Sequence, residues 1–409
     1  MVTGIGVVSP LGPAAAFWQG LVAGASGIAA IAAPAGTSST RLEARARHWN
    51  ARDHVRPALL RRMDRCSQMV VTACRMALAD AELALAGADA EAAGIVLGTA
   101  FGNLTESEDF LRGLFAKGPA LANPLTFPNL VLNAPTGYVA IDLGIRGPNL
   151  TVVRGEASGE AALALAYDTI VTGQADVLLA GGVDELSPAL RHIHDDLHLL
   201  SPREGGGAEW SSPFDRDRNG MVMGEGAAIL VLESASHARA RGARLHAELV
   251  GHASESMPAS PHDWPTVATA AAAHGVGPEL AALGFRSAAR GSGATLVVSC
   301  ANSTRRLDAV ESARLATLLG EDDGRTLVTS LKGAIGELGA AGALGAAAAV
   351  MALGAGDVPR LGALRNADPE CTLPLARPDV PTPARGIGEV LVTAMPRGGG
   401  GVSVLFRKP

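Results

Sequence analysis

Residues 147–159, Gly-Pro-Asn-Leu-Thr-Val-Val-Arg-Gly-Glu-Ala-Ser-Gly, read as a strand, a sharp turn and a helix start, with Glu156 at the tip of the turn. The small neighbours Gly155, Ala157 and Gly159 let backbone and ligand approach closely, as a turn that presents a reactive side chain requires. A Cys or Ser at the tip would be a nucleophile, whereas a carboxylate cannot do the work of a thiolate on a thioester. Ser158 offers a hydroxyl two residues on, but a serine needs a base, and His274 is the last histidine of the chain. The layout of a nucleophilic site is present without its nucleophile.

The elements that must position this turn are legible as alternating strand-like and helical runs. Strands are expected at 2–8, 94–97, 150–153, 177–180 and 228–232. A second set is expected at 247–251, 296–299, 325–330, 388–393 and 402–406, with Ala-rich amphipathic stretches between. Such alternation argues for βαβ units and mainly parallel sheets, and runs as apolar as 2–8 suit strands covered on both faces. Loops are expected at 33–40, 205–209, 254–264, 354–357 and 378–385. None of them is long enough for an interdomain linker.

The chain has 409 residues, 48% hydrophobic and 18% charged, enough to bury a large core. Its net charge of −6 and its mere three lysines (Lys117, Lys332, Lys408) argue against a nucleic-acid surface. Four cysteines without metal or disulfide spacing point to a reducing cytoplasm. The amino terminus lacks a basic region, so no signal peptide is expected. The apolar stretch 338–353 is mostly Ala and Gly and reads as a buried helix, not a membrane span. Three other features are read as chemically silent. His192, His194 and His198 have metal-like spacing, but no metal site is expected on what should be a surface helix. Gly398–Gly401 lacks the Lys-Ser/Thr of a phosphate loop. The Arg-rich stretch 41–62 interleaves with Leu, Ala and His and reads as a solvated surface.

Several blocks occur in register. They are Met1–Gly12 with Phe17-Trp18 and 24–28, Gly147-Pro-Asn149, 175–182, Pro-Phe-Asp-Arg-Asp-Arg-Asn-Gly-Met-Val-Met-Gly-Glu-Gly at 213–226, and Ser330-Leu-Lys332. Together these blocks resemble the β-ketoacyl-carrier-protein synthases over essentially the whole chain. The resemblance implies the thiolase-like α/β fold: duplicated βαβαβαββ halves in a five-layer αβαβα architecture, divided here as 1–235 and 236–409. It also implies a Cys nucleophile and two neutral imidazoles that stabilise an enolate. At the matching positions stand Glu156, Cys300 (in Ser299-Cys-Ala-Asn-Ser-Thr304) and Glu337 (in Lys332-Gly-Ala-Ile-Gly-Glu337). Lys332 is retained. The carboxy-terminal loop, Arg397-Gly-Gly-Gly-Gly401, lacks the Phe that gates acyl entry. Glu156 would repel an anionic malonyl donor, and together with Glu337 it is expected to plug the site, with one carboxyl protonated or the two paired with Lys332, Arg154 or Arg305.

A chain that keeps this fold and loses all three groups resembles the chain length factors of type II polyketide synthases, which pair with an active ketosynthase. Those commonly carry Gln at the nucleophile position, to which Glu156 is nearly isosteric. The resemblance implies a heterodimer formed across the strand 150–153, an acyl carrier protein bearing the growing chain, and no cofactor. It maps the length-setting helix onto 103–115. Leu104, Ser107 and Leu111 share one face there at i, i+3, i+7 spacing, and Thr105 with Glu108 has capping-box spacing. Phe127, Leu130 and Asn133 are expected as a second wall. Two alternatives stay open on the residues: a divergent acyltransferase or condensing enzyme using Cys300 or Ser158, and a free-standing acyl-binding protein.

Overall fold

The computed structural model describes residues 1–31, 41–202, 208–272, 277–286, 293–320 and 324–409. The expected loop 33–40, most of the loop 205–209, and His274 lie outside the described residues. Twelve strands are seen among them: β1 (Val2–Val8), β2 (Ala29–Ile31), β3 (Arg41–Glu43), β4 (Gly94–Gly98), β5 (Asn149–Val152), β6 (Val177–Asp184), β7 (Gly226–Glu233), β8 (Glu248–Ser254), β9 (Ala294–Val298), β10 (Thr326–Thr329), β11 (Ile387–Ala394) and β12 (Val402–Arg407). All ten strands expected from the apolar runs are found within a few residues of their expected bounds. The small hairpin β2–β3 was not foreseen.

The ten make two five-stranded sheets, ordered β1-β7-β6-β4-β5 and β8-β12-β11-β9-β10. In the first, β1–β7 and β7–β6 are antiparallel, while β6–β4 and β4–β5 are parallel. The second repeats the pattern: β8–β12 and β12–β11 antiparallel, β11–β9 and β9–β10 parallel. This is a duplicated half, and it corrects the expectation of mainly parallel sheets. Only seven residues separate β11 from β12, whereas a parallel crossover needs a dozen or more.

Two helices, Ser158–Val171 and Ala341–Ala355, lie between the sheets and contact both. Twelve of the fifteen residues of the second are buried, nine of them Ala or Gly. Their small side chains let helices and sheets close-pack in one core. Arg65–Asp80 covers the outer face of the first sheet, and Arg305–Leu319 lies over the second. The result is the five-layer thiolase-like fold. No helix among the described residues is long and apolar enough to cross a membrane.

The end of β6 positions the segments around the turn. Asp184 is buried, accepting from Thr99 Oγ1 (2.8 Å) and from the backbone N–H of Phe101 (2.9 Å). Glu185 accepts from the N–H of Thr105 (2.8 Å) and so caps the helix Leu104–Lys117. The expected capping box does not form. The helix starts one residue earlier, and Glu108 bonds Arg112 and the N–H of Ala189 instead. A helix end needs acceptors for its free N–H groups, and a buried carboxylate from a neighbouring strand supplies one here.

The two halves differ at their edge strands. On β10 the strand is buried, and Val328 exchanges backbone hydrogen bonds with Pro374 and Ala376. On β5 no strand among the described residues pairs beyond the one side held by β4, and Leu150 and Val153 are exposed. The same half carries other exposed apolar side chains, Phe115, Leu121, Leu125, Phe127, Val131 and Ile141 among them. An unprotected edge with apolar neighbours favours pairing with another chain. The full-length chain purified by itself is therefore expected to elute well above its 41.4 kDa monomer mass. Replacing Leu150 and Val153 together by Glu should abolish that association, with the circular dichroism spectrum unchanged. A wild-type chain that stays monomeric at micromolar concentration would contradict the interface.

Candidate functional site

The turn before the helix Ser158–Val171 has the sharp geometry that its glycines permit: Gly155 has φ +54°, and Arg154 bridges to Glu156 across it. Ser158 is buried and committed to the turn. Its Oγ donates to the carbonyl of Gly155 (2.7 Å) and accepts from the N–H of Arg154 (2.9 Å). No imidazole bonds it, so it is a structural hydroxyl.

Glu156 does not pair with Lys332, Arg154 or Arg305. Its partner is Arg397, which heads the β11–β12 loop. Arg397 Nε donates to Oε1 (2.7 Å), and its backbone N–H donates to Oε2 (3.2 Å). The sequence reading saw only a missing Phe in that loop. Nη2 of the same guanidinium lies 3.3 Å from His194 Nε2. His194 Nδ1 lies 2.8 Å from the carbonyl of Leu190, so Nδ1 carries the proton and Nε2 accepts from Arg397. Burial, with Arg397 adding to it, lowers the His194 pKa, and the ring is neutral. The helix Pro188–Asp196 is thus no bystander. It turns His192 outward and His194 inward, edge-on to Phe101 at 5.7 Å. Among the described residues no three His, Cys, Asp or Glu side chains are grouped to hold a metal.

Behind this pair, Lys332 Nζ donates to Glu337 Oε2 (2.8 Å), and Asn302 Nδ2 donates to the same oxygen (2.7 Å). The N–H of Glu337 donates to the carbonyl of Val222, tying this segment to the 213–226 block. Burial raises the Glu337 carboxyl, opposed by Lys332. Cys300 is buried in an apolar cluster with Met223, Trp264 and Met395. Its pKa is pushed well up by burial and by Glu311, so the thiol stays protonated and is a poor nucleophile. Glu156, Cys300 and Lys332 line one cavity, together with Glu160, Gly342 and Thr393. Its free volume is about 20 Å³, room for a water molecule or so and not for an acyl-pantetheine arm.

Glu160 was missed. It sits one helical turn after Glu156, and the rest of 158–166 is small or apolar, which was the available signal. Gly342 makes room for it: a Cβ at that position would fall 1.8 Å from Glu160 Cδ. Glu160 Oε2 and Glu337 Oε1 are buried without hydrogen-bond partners among the described residues.

Of the expected length-setting residues, Leu104 packs against the apolar cluster that holds Cys300. Ser107 is half-buried, and Leu111 faces the exposed apolar surface. Phe127 is exposed, with its ring against Phe110 (6.1 Å), Leu130 is half-buried, and Asn133 is exposed just before the helix Ala134–Leu143. The helix Leu104–Lys117 therefore runs from the rim of the closed site to the open face.

The chain matches the model of the β-ketoacyl synthase N-terminal domain over residues 1–238 and that of the C-terminal domain over 248–364. It belongs to the β-ketoacyl synthase family. It is 31% identical to the 3-oxoacyl-[acyl-carrier-protein] synthase 2 of Synechocystis over 100% of this chain and 97% of that protein. The enzyme of the same name from Staphylococcus aureus N315 is 33% identical over 62% of this chain and 61% of its own. Among solved structures it is similar to the ishigamide ketosynthase/chain length factor (TM-score 0.86, 27% identity, 100% of this chain and 98% of that one). It is also similar to the ketosynthase bound to a hexaketide and its type II acyl-carrier protein, AntDE:AntF (0.85, 26%, 100% and 98%). A β-ketoacyl synthase of Burkholderia phymatum is comparably similar (0.85, 29%, 100% and 98%).

The buried carboxyls set a pH dependence. Burial pushes Glu160 up to about 8, Glu185 to about 7, and Asp184 and Asp308 to about 6. Each keeps its proton in the folded chain where the unfolded chain has lost it. Its contribution is complete below the unfolded value near 4 and is lost as pH rises through the folded value. Stability should fall between pH 5 and 8. Glu160→Gln, which keeps a neutral group there, should gain on wild type across that window by at most about 1.4 kcal/mol per pH unit. Denaturant midpoints at pH 5.5, 6.5, 7.5 and 8.5 check this, and a difference that does not change with pH would refute it.

Proposed function

We propose that this chain is a non-catalytic chain length factor that joins an active ketosynthase and shapes the tunnel receiving the growing acyl chain. The observation that carries the reading is the Glu156–Arg397 pair at the nucleophile position. A carboxylate neutralised by a guanidinium neither attacks a thioester nor admits one, and no imidazole stands at the positions where the enolate would need it. The rival reading, an acyltransferase using Cys300 or Ser158, is disfavoured by a thiol held protonated and a hydroxyl bound into the turn.

The open β5 edge supports pairing with a ketosynthase-type partner, whose own edge strand would complete the sheet. Obligate interfaces of this kind are large and apolar, as the exposed side chains around Leu150 and Val153 are. Arg45, Arg47, Arg52, Arg61 and Arg65 line a groove beside Trp49, a surface that suits an acidic acyl carrier protein. In this reading Leu104, Ser107 and Leu111 form one wall of the tunnel, with Phe127, Leu130 and Asn133 as candidates for the second. The partner would close the wall that the isolated chain leaves exposed.

Co-expression with a ketosynthase that has an intact Cys and two His should yield a one-to-one complex that condenses acyl and malonyl thioesters, whereas the chain alone should form no carbon–carbon bond. Condensation by the isolated chain, free of contaminating ketosynthase, overturns the reading.

Length control is tested at Ser107. Ser107→Phe places a ring in the tunnel wall at an overpacking cost of ~1–3 kcal/mol. The complex should then release products at least one two-carbon unit shorter at similar turnover. If Ser107→Phe, Leu104→Phe and Leu111→Phe complexes all assemble and give products of unchanged length, this helix does not line the tunnel.

A further inference from the structure

Three separate elements meet at Arg397. Glu156 comes from the turn before the helix Ser158–Val171, His194 from the helix Pro188–Asp196, and Arg397 from the loop between β11 and β12. The guanidinium makes two contacts, Nε on the carboxylate and Nη2 on the neutral imidazole, and the backbone N–H of Arg397 also reaches Glu156. The pair is nearly enclosed, with side-chain exposures of 12% for Arg397 and 10% for Glu156. Downstream of Arg397 the loop has two residues at positive φ, Gly398 (+86°) and Gly399 (+83°), so its path is not dictated by side-chain sterics. Backbone hydrogen bonds to Asp263, Met257 and Glu255 hold the far side of the loop, and the charge pair is what joins its near end to the turn.

We propose that Arg397 and His194 are positioning residues of a three-part closure, Glu156–Arg397–His194, and that the charge pairing, not the bulk of Glu156, keeps acyl groups out of this subunit's own cavity. This deepens the non-catalytic reading and rests on it. Bulk alone predicts that any residue of glutamate's shape closes the site equally well. Pairing predicts that losing either charge leaves the other uncompensated in a nearly dry place, so that it turns towards water and the loop moves with it. Losing both charges should be tolerated better than losing one. His194 accepts from the guanidinium without adding a charge of its own, so it steers Arg397 towards Glu156.

Cys300 lines the cavity behind Glu156 and reports on closure, while Cys66 and Cys74 are buried elsewhere in the core and report on the whole fold. The experiment is iodoacetamide labelling of the full-length chain, followed by peptide mapping at each cysteine. It uses the co-purified ketosynthase complex where one forms and the chain alone otherwise. A failure to pair with a ketosynthase is thereby recorded separately from a failure of the closure. Glu156→Gln and Arg397→Met, both close in shape to the native residues, should each raise Cys300 labelling at least tenfold, with Cys66 and Cys74 unchanged. The double variant should return to within about threefold of wild type, and His194→Phe should show a smaller rise than either single charge change. Single variants that label Cys300 no faster than wild type overturn the proposal, as does a double variant no better closed than the singles. A rise shared by Cys66 and Cys74 also overturns it, because the pair would then support the fold as a whole and not the closure.

Discussion

Two helices of small residues run between two sheets, and whatever charge their ends carry has to be answered inside the protein. Alanine and glycine in Ala341–Ala355 let the layers close-pack, which leaves space for few large side chains and almost no water. Ions in such a place are costly unless paired and hydrogen-bonded. The site beside these helices shows each of the available solutions. Glu156 takes a guanidinium from another loop, and Glu337 takes Lys332 and an amide from Asn302. Glu160, for which no cation bonds, keeps its proton up to about pH 8. The cysteine answers the same constraint by staying a thiol.

The duplication of the fold makes the difference between its halves informative. Two sheets with the same order and strand directions bury their edge strands unequally: β10 is covered by its own chain near Leu375, and β5 is left open. Had exposure of an edge been a neutral accident of the architecture, the second half would show it too. The open edge lies on the half that also carries the helix Leu104–Lys117 and its exposed side chains Leu111 and Phe115.

The strands were legible because each is a short apolar run bounded by Gly, Pro or charge, as at Val2–Val8 and Val402–Arg407. Their directions were not, since alternation of elements says nothing of polarity, although the short link between β11 and β12 carried that information. The hairpin β2–β3 escaped notice because two three-residue strands, whose one buried side chain is the charged Glu43, have no apolar pattern to read. At the site, the types of Glu156, Cys300 and Glu337 were readable from position. The partner of Glu156, 241 residues away in sequence, was not. His194 was misplaced because an i, i+4 pair of histidines looks alike on a surface and on a boundary helix. Only the tertiary packing against Phe101 and Arg397 turns one of them inward.

The closed site and the helix Leu104–Lys117 are mechanically one unit, because both hang from the end of β6. Asp184 holds the loop that leads into that helix, Glu185 caps its first turn, and the helix bearing His194 begins at Pro188, three residues later. Glu108 closes the circuit by accepting from the N–H of Ala189. Burial of Asp184 and Glu185 is tolerable only because several N–H donors converge on them, so the two carboxyls fix the geometry of everything they touch. A shift of the helix that follows Asn103 would therefore be felt at His194 and through it at Arg397. The Glu156–Arg397 pair is thereby joined, through His194, to the segments that Asp184 and Glu185 hold.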